Sequence, residues 1–198
     1  DKIGFIGANG VGKTTIFKIL SGQLDPTDGG VVISKDAVVG YLEQHSCNVA
    51  GRNIYNELLS VFDRLIKLER ELEELPVLIE LEEDEAERDR LIEKHLQLHD
   101  EFERNGGLTY KSRTRSALLG LGFTEAEFEM ETDKLSGGQR SKLSLCKLLL
   151  SDTNLLLLDE PTNNLDIDAV TWLEDFLIKY KGAIIVVSHD RYFLDKVT

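Results

Sequence analysis

Three short, nearly continuous apolar runs mark the chain, at residues 3–6, 155–159 and 183–188. Runs of this kind are typical of parallel strands that are covered on both faces. Stretches with helical periodicity accompany them, at residues 14–20, 141–150 and 169–180. This alternation predicts an α/β fold in which a parallel sheet is flanked by helices.

A smaller β element is predicted after the first helix. Residues 25–30 have the Asp, Pro and Gly composition of a turn, and the stretches 31–34 and 38–42 that follow are mostly apolar. We expect these two stretches to form an antiparallel pair beside the main sheet.

The middle of the chain has a longer helical period. Its first half follows a heptad spacing, at Val61, Leu65, Leu68, Leu72 and Leu75. Its second half repeats helical spacing at Leu91, His95, Leu98 and Phe102. Two paired helices of about 20 residues would extend roughly 30 Å as an antiparallel arm. The alternative is an ordinary helical subdomain folded onto the core.

The position of the turn between these helices is open at this stage. Pro76 is compatible with a helix start or a kink, whereas residues 82–85 are more polar and are favoured as the turn. The second helix would return near Asn105, Gly106 and Gly107.

Charge is distributed unevenly along the chain. The 198 residues include 36 acidic and 23 basic ones, for a net charge of −13. Residues 57–104 hold 17 of the acids and 7 of the bases, so this segment carries −10 and the rest only −3. The overall charge argues against a generally basic nucleic-acid-binding surface.

Composition and the chain start narrow the class of protein further. No apolar run approaches a membrane span of roughly 18 to 20 residues, and no secretory signal is visible. We therefore expect a cytoplasmic protein, and the missing initiator Met predicts a fragment. Cys47 and Cys146 lack metal-ligand spacing and are expected to be reduced, structural thiols.

The pattern G-x-x-x-x-G-K-[ST] directly follows the first predicted strand and opens the first helix. Glycines let backbone N–H groups surround phosphates, Lys13 can reach the β- and γ-phosphates, and the Thr14 hydroxyl suits Mg²⁺. The predicted nucleotide-binding residues are Gly7, Ala8, Asn9, Gly10, Val11, Gly12, Lys13, Thr14 and Thr15.

Asp159 and Glu160 end a predicted buried strand at the sheet edge where α/β folds place ligands. Asp159 suits Mg²⁺, and Glu160 suits a general base or a residue that orients the attacking water. A carboxylate near a nucleotide is repelled by roughly 4 kcal/mol per unit charge at 4 Å. We therefore expect a cation between the carboxylates and the nucleotide. Nucleotide binding should then depend on Mg²⁺.

Ser136 and Gln139 have the S-x-x-Q spacing of a capping box at a predicted helix start. The residues between them, Gly137 and Gly138, would also present N–H groups to an anion. A simple helix start and a second phosphate-binding element are both compatible with this pattern.

Together these motifs resemble, in order, those of ABC ATPases: Walker A (7–14), Q-loop (Gln44), signature (135–139), Walker B (Asp159, Glu160), D-loop (Asp166) and H-loop (His189). The sequences of residues 160–166 and 188–194 are similar to those in the first nucleotide-binding domain of soluble ABC-F proteins. The arm-like insertion between Gln44 and the signature is similar as well. The resemblance implies a P-loop NTPase of ABC ATPase type, with an α-helical subdomain that bears the arm.

The resemblance also implies residue roles. ATP would be sandwiched head to tail between this domain and a second nucleotide-binding domain. The catalytic residues would be Glu160, His189 and Gln44, and the metal would be held by Thr14, Gln44 and Asp159. A partner site would be closed by Ser136, Gly137, Gly138 and Gln139, with Asp166 acting across the interface.

By the same resemblance, the protein would be an ATPase that acts on the ribosome and its tRNA, in translation control or antibiotic resistance. An ABC transporter subunit and a DNA-repair or chromosome-maintenance ATPase are the alternatives. Asn164 stands where ABC-F proteins commonly have His. The upstream β-region and its adenine-stacking aromatic residue are absent, so weak nucleotide affinity and little turnover are expected of this fragment alone.

The motifs divide the chain into four expected parts: core residues 1–52, an arm insertion at 53–105, a signature subdomain at 106–150, and core residues 151–198.

Three further patterns are interpreted as structural. His95 and His99 lack a third metal ligand. Trp172, Phe176 and Tyr180 step by four and are expected to pack in the core. Lys111, Arg113 and Arg115 are too few to favour RNA contact over a solvated surface.

Overall fold

The computed structural model describes residues 1–8, 10–41 and 51–198. Its strands are β1 (Lys2–Phe5), β2 (Val39–Tyr41), β3 (Leu155–Asp159) and β4 (Ala183–Val187). Its α-helices are α1 (Lys13–Leu20), α2 (Ile54–Leu59), α3 (Asp63–Leu81), α4 (Glu85–Arg104), α5 (Tyr110–Gly120), α6 (Gly137–Leu150), α7 (Ile167–Lys179) and α8 (Arg191–Val197). The predicted α/β class is confirmed.

The strands form one parallel sheet in the order β1-β4-β3-β2. The central strand β3 pairs with β4 from Leu155 opposite Ala183 to Asp159 opposite Val187. Its residues Leu156 to Leu158 are fully buried, as expected for a strand covered on both faces. The sheet therefore brings the carboxyl ends of β1 and β3 to one edge.

The expected antiparallel pair is wrong. Val39–Tyr41 pairs in parallel with β3 as an edge strand of the main sheet, and residues 31–34 form no strand. Asn154 holds this edge, because its Oδ1 accepts from the Val38 N–H at 2.8 Å. At Gly40, a Cβ atom would lie 2.6 Å from Leu148 Cδ1, so a larger residue there would displace the Leu148 side chain of α6. Tertiary pairing thus prevails over the local turn pattern.

Helices α3 and α4 form the predicted antiparallel arm, with the turn at residues 82–84. Ion pairs in reversed order join the two helices, Arg64 with Glu101 and Glu71 with Lys94. Asp84 caps α4 by accepting from the Glu87 N–H at 2.9 Å. Pro76 lies within α3, so it neither ends the first helix nor opens the second.

The root of the arm is fixed to α5 through a buried tyrosine. Tyr110 is 1% exposed and donates to Glu69 Oε2 at 2.6 Å, while Lys111 Nζ donates to the other oxygen at 2.8 Å. Burial and the Glu69 carboxylate raise the pKa of Tyr110 to about 12, so its hydroxyl remains a donor. Burial opposes ionisation of Glu69, but the two donors hold its pKa below the ordinary value.

We expect Tyr110→Phe to lower the free energy of unfolding by about 1–3 kcal/mol at neutral pH, because Glu69 loses a buried donor. The lowered pKa of Glu69 means that its contribution is present above the ordinary glutamate pKa and is lost as the pH falls through the lowered value. The difference in the free energy of unfolding between wild type and variant should therefore be smaller at acidic pH than at neutral pH. Urea unfolding of the full-length protein at neutral pH and at acidic pH measures this difference.

Tyr192→Phe is the matched control, because Tyr192 is 86% exposed. An equal loss of stability in both variants would contradict the assigned role of Tyr110.

The helical part around α2, α5 and α6 has its own polar link. The Glu57 side chain is buried and accepts from Lys147 of α6, and Arg52 lies 3.7 Å from its other oxygen. Glu57 thus ties α2 to the helix that begins at the signature residues.

The aromatic stripe on α7 packs as expected. Trp172 stacks on Phe176 with ring centres 5.5 Å apart, and Phe176 on Tyr180 at 6.4 Å. Trp172 lies against Gly120 of α5, where a Cβ atom would be 2.2 Å from the ring. This contact joins the helical part to the helices beside the sheet.

Candidate functional site

The loop between β1 and α1 has a backbone that depends on glycine. Gly10 and Gly12 have φ angles of 82° and 95°, in the left-handed region that side chains disfavour. Gly12 precedes the first residue of α1, so the loop leads directly into a helix N-terminus. Asn9 lies outside the described residues. This geometry suits an anion held by backbone N–H groups.

Lys13 folds back over this loop. Its side chain is 8% exposed, and Nζ donates to the carbonyl oxygens of Gly7 at 2.8 Å and Ala8 at 3.0 Å. A lysine ammonium has three donors and is costly to bury unless they are used. The loop carbonyls therefore hold the cation at the mouth of the loop.

The end of β3 meets the start of α1 at a pair of oxygen donors. The Thr14 hydroxyl donates to Asp159 Oδ2 at 2.6 Å, although the two residues are 145 positions apart. Carboxylate and hydroxyl oxygens are the hard donors that Mg²⁺ prefers. This donor set fits the metal that the sequence predicts here.

Glu160 is held in an unusual conformation next to this pair. Its φ is 49°, and its N–H donates to the Val187 carbonyl at 2.8 Å. The His189 N–H donates to Glu160 Oε2 at 3.3 Å, and His189 Nε2 lies 3.3 Å from Oε1. Oε1 is buried and accepts no hydrogen bond from the described residues. A strained, partly unsatisfied carboxylate is a mark of a functional site.

These groups line one cavity of about 370 Å³. Its lining residues are Gly10, Gly12, Lys13, Thr14, Thr15, Asp159, Glu160 and His189. The structure thus brings together the predicted phosphate loop, the predicted metal ligands of α1 and β3, and two predicted catalytic residues. Gln44 lies outside the described residues, and its role stays a prediction.

The signature residues lie elsewhere, at the start of α6. Ser136 Oγ accepts from the Gln139 N–H at 3.2 Å, and Gln139 Oε1 accepts from the Ser136 N–H at 3.0 Å, which confirms the capping box. None of the residues 136–139 lines the cavity. Within this chain the signature residues therefore do not contribute to the lining of the loop cavity.

Sequence reasoning missed Glu127, whose side chain contacts the signature residue Gln139. Gln139 Nε2 donates to Glu127 Oε1 at 2.9 Å, while Thr124 donates to Oε2 through its N–H and hydroxyl. These Thr124 donors hold the pKa of Glu127 below its ordinary value. The T-x-x-E spacing of Thr124 and Glu127 was the available signal.

Asp166 caps α7 by accepting from the Ala169 N–H at 2.9 Å, and this bond holds its pKa below the ordinary value. Its other oxygen faces Lys142 Nζ of α6 at 3.5 Å. The predicted D-loop residue is therefore next to the helix that begins at the signature.

His95 and His99 lie one turn apart on α4. The rings of His95 and His99 are 6.5 Å apart, and the part of the chain that the structure describes has no cluster of three His, Cys, Asp or Glu side chains suited to a metal. Cys146 is buried and its thiol donates to the Ala117 carbonyl at 3.5 Å, whereas Cys47 lies outside the described ranges.

A glycine loop at a strand-to-helix junction, a buried lysine, and acidic residues at the end of a neighbouring parallel strand define the class of P-loop nucleotide-binding proteins. The sequence profile of the ABC transporter family matches residues 1–163. The chain belongs to this family, as a nucleotide-binding domain of ABC-F type.

Three relatives illustrate the subfamily. The chain is 35% identical to ABC transporter F family member 2 of Arabidopsis thaliana, over 100% of this chain and 29% of the relative. It is 38% identical to the energy-dependent translational throttle protein EttA of Mycobacterium tuberculosis, over 99% of this chain and 34% of the relative. It is also 38% identical to the tylosin resistance ATP-binding protein TlrC of Streptomyces fradiae, over 100% of this chain and 36% of the relative.

A solved structure shares the fold. In the complex of archaeal ribosomal stalk protein aP1 with ribosome recycling factor aABCE1, one chain is 26% identical to this one, with a TM-score of 0.63. The match covers 100% of this chain and 30% of that chain. The chain likewise spans about a third of the length of its curated relatives.

Among the residues that the structure describes, no helix has the length and apolar character needed to cross a membrane.

Proposed function

We propose that this chain binds MgATP and contributes to its hydrolysis as one of two nucleotide-binding domains of an ABC-F protein that acts on the ribosome. The observation that carries the chemistry is the single cavity lined by Lys13, Thr14, Asp159, Glu160 and His189. Each of these residues has a charge or donor that a phosphoryl transfer requires.

Lys13 binds the phosphates. Phosphate oxygens replace the carbonyls of Gly7 and Ala8 as acceptors for Nζ, and the new hydrogen bonds join two ionised groups. The loop N–H groups and the start of α1 add donors and positive potential. Binding thus exchanges neutral acceptors for charged ones.

Thr14 and Asp159 would hold Mg²⁺, which supplies charge neutralisation between the nucleotide and the strand-end carboxylates when it is bound. The Thr14 hydroxyl oxygen and Asp159 Oδ2 lie 2.6 Å apart, which supports a shared metal site. Gln44 is the third proposed metal ligand.

Glu160 accepts a proton from the attacking water, and its buried Oε1 has the free acceptor capacity for that role. His189 lies against the same carboxylate and orients it together with the γ-phosphate. Gln44 joins this group by resemblance to the family.

The signature completes a second site. Ser136, Gly137, Gly138 and Gln139 lie outside the loop cavity, which supports their use on nucleotide bound by a partner domain in a head-to-tail pair. Asp166 is proposed to act at that interface. On this basis the proposed division is a core at 1–52 and 151–198, an arm at 53–105 and a signature subdomain at 106–150.

The ribosome is proposed as the target because the names of similar proteins refer to translational throttling and ribosome recycling. The name of TlrC supports a more specific form of this proposal, a role in resistance to a ribosome-directed antibiotic. The proposed location is the cytoplasm, where ribosomes and their tRNA are the partners.

Sedimentation through sucrose tests this function. The full-length protein carries Glu160→Gln and the equivalent change in its second domain, and is mixed with ribosomes with or without ATP. We expect ATP-dependent co-sedimentation, because ATP binds in the variant while hydrolysis is blocked. Unchanged pelleting with and without ATP, or none in either case, would contradict the ribosomal function.

A further inference from the structure

The Gln139 side chain makes two hydrogen bonds, and only one of them belongs to the capping box of α6. Its Oε1 accepts from the Ser136 N–H at 3.0 Å, which closes the box. Its Nε2 donates to Glu127 Oε1 at 2.9 Å, and helix capping does not require this second bond. The contact between a signature side chain and a residue 12 positions earlier therefore needs another explanation.

Glu127 is itself held in place by Thr124. The Thr124 N–H donates to Glu127 Oε2 at 2.8 Å, and the Thr124 hydroxyl donates to the same oxygen at 2.9 Å. These two bonds leave the other oxygen, Oε1, to Gln139. They also hold the pKa of Glu127 below its ordinary value, so the carboxylate is ionised at neutral pH. An ionised acceptor makes the bond to Gln139 stronger than a neutral acceptor would.

These contacts give the Gln139 amide a single orientation. An amide has an oxygen that accepts and a nitrogen that donates. If the two were exchanged, the oxygen would face the Glu127 carboxylate and the nitrogen would face the Ser136 N–H. Both exchanged contacts are repulsive, because one pairs two acceptors and the other pairs two donors. Glu127 thus fixes the oxygen of Gln139 on the Ser136 backbone.

This arrangement determines which donors are available at the start of α6. Ser136 Oγ accepts from the Gln139 N–H at 3.2 Å, so the Ser136 hydroxyl keeps its own proton for another acceptor. The N–H groups of Gly137 and Gly138 have no acceptor within the helix, because they belong to its first turn. Ser136 and Gly137 are exposed, whereas Gln139 and Glu127 are half-buried. The half-buried pair therefore supports a group of donors that suits phosphate oxygens.

We propose that Glu127 is a positioning residue for the nucleotide site that the signature completes. The inference rests on the proposed function, in which residues 136–139 close ATP that is bound by the second nucleotide-binding domain. Glu127 acts through Gln139 and sets the geometry of the donors at the start of α6. Its effect therefore falls on the site of the second domain, and not on the cavity that Lys13 and Glu160 line in this domain.

Two forms of the full-length protein, each with one active site, test the proposal. The first form carries Glu160→Gln, so its turnover reports on the second-domain site. The second form carries the equivalent change in the second domain, so its turnover reports on the site of this domain. Glu127→Ala is added to each, and single-turnover phosphate release is measured. We expect release to fall by about tenfold in the first form and to stay within about twofold of the parent rate in the second. A general loss of folding would lower both.

Glu125→Ala is the matched control. Glu125 lies on the same short helical turn, residues 125–127, and its ion pair with Arg115 is between side chains that are 60% and 51% exposed. Exposed pairs of this kind contribute little to stability. Phosphate release should therefore equal that of the parent in both forms.

Gln139→Ala checks that Glu127 acts through Gln139. In the first form, Gln139→Ala alone should lower phosphate release at least as much as Glu127→Ala. Adding Glu127→Ala to Gln139→Ala should lower it by less than about twofold more, because the carboxylate then has no amide to orient. Two full losses that multiply would show that Glu127 acts by another route.

The outcomes separate this proposal from the function on which it rests. If neither form hydrolyses ATP before Glu127 is changed, the proposed ATPase function is wrong, and so is the positioning role. If both forms hydrolyse ATP, but Glu127→Ala lowers the two rates equally or lowers neither, the positioning proposal is wrong and the ATPase function stands.

Discussion

Glu160→Gln in the full-length protein is expected to lower ATP turnover at this site by about 10²- to 10⁴-fold and to leave ATP binding nearly unchanged. The amide has the same size as the carboxylate but does not accept a proton from water. Oε1 is buried and accepts no hydrogen bond within the described part of the chain, and the amide oxygen can still accept from the His189 N–H, so the main loss is proton transfer.

The measurement is single-turnover phosphate release, with ATP affinity determined separately by titration. Because the protein is expected to have two sites, the equivalent glutamate of the second domain is changed in both the reference and the variant. Glu103→Gln, an exposed position on α4, is the matched control. Phosphate release at the reference rate in Glu160→Gln would show that another group takes the proton.

Lys13→Met is expected to weaken ATP binding by about 10- to 100-fold, which corresponds to the loss of hydrogen bonds to a charged group worth about 1.5–3 kcal/mol. Methionine keeps most of the length and apolar stem of lysine and removes the cation. Lys13 is held at the loop by two carbonyls, so it is preorganised at the position where phosphate enters.

Calorimetric titration of the full-length protein with ATP, in Mg²⁺ and in EDTA, measures this effect. Lys35→Met is the control, because Lys35 is exposed and distant in sequence from the loop. Wild type should bind more weakly in EDTA, since the carboxylates of Asp159 and Glu160 then face the nucleotide without a cation. Equal affinity of Lys13→Met and wild type would leave Lys13 only a structural role in the loop.

Much of the site was predictable because its chemistry depends on short, contiguous motifs. The phosphate loop, the strand-end carboxylates and the capping box each follow from local rules of backbone geometry and donor placement. Predicted burial of the strand at 155–159 also placed Asp159 and Glu160 at the correct edge of the sheet. The heptad spacing and the polar residues near the turn were likewise sufficient for the arm.

Contacts between distant segments were not predictable in this way. Thr14 meets Asp159 across 145 positions, and the Lys142–Asp166 pair joins two segments of different helices. Glu127 became a functional candidate only when its contact with Gln139 was seen. Such pairs carry no periodic signal, because their spacing is set by the packing of helices on the sheet.

The sequence by itself therefore determined the fold class, the nucleotide chemistry and the presence of an acidic arm, since these depend on local periodicity, motif spacing and charge. Only the tertiary structure decided that Val39–Tyr41 joins the main sheet, and that the signature lies apart from the loop cavity. It also decided which face of α3 remains exposed at the arm tip. The physical reason is that edge pairing, site assembly and exposure depend on which surfaces are already covered by other parts of the chain.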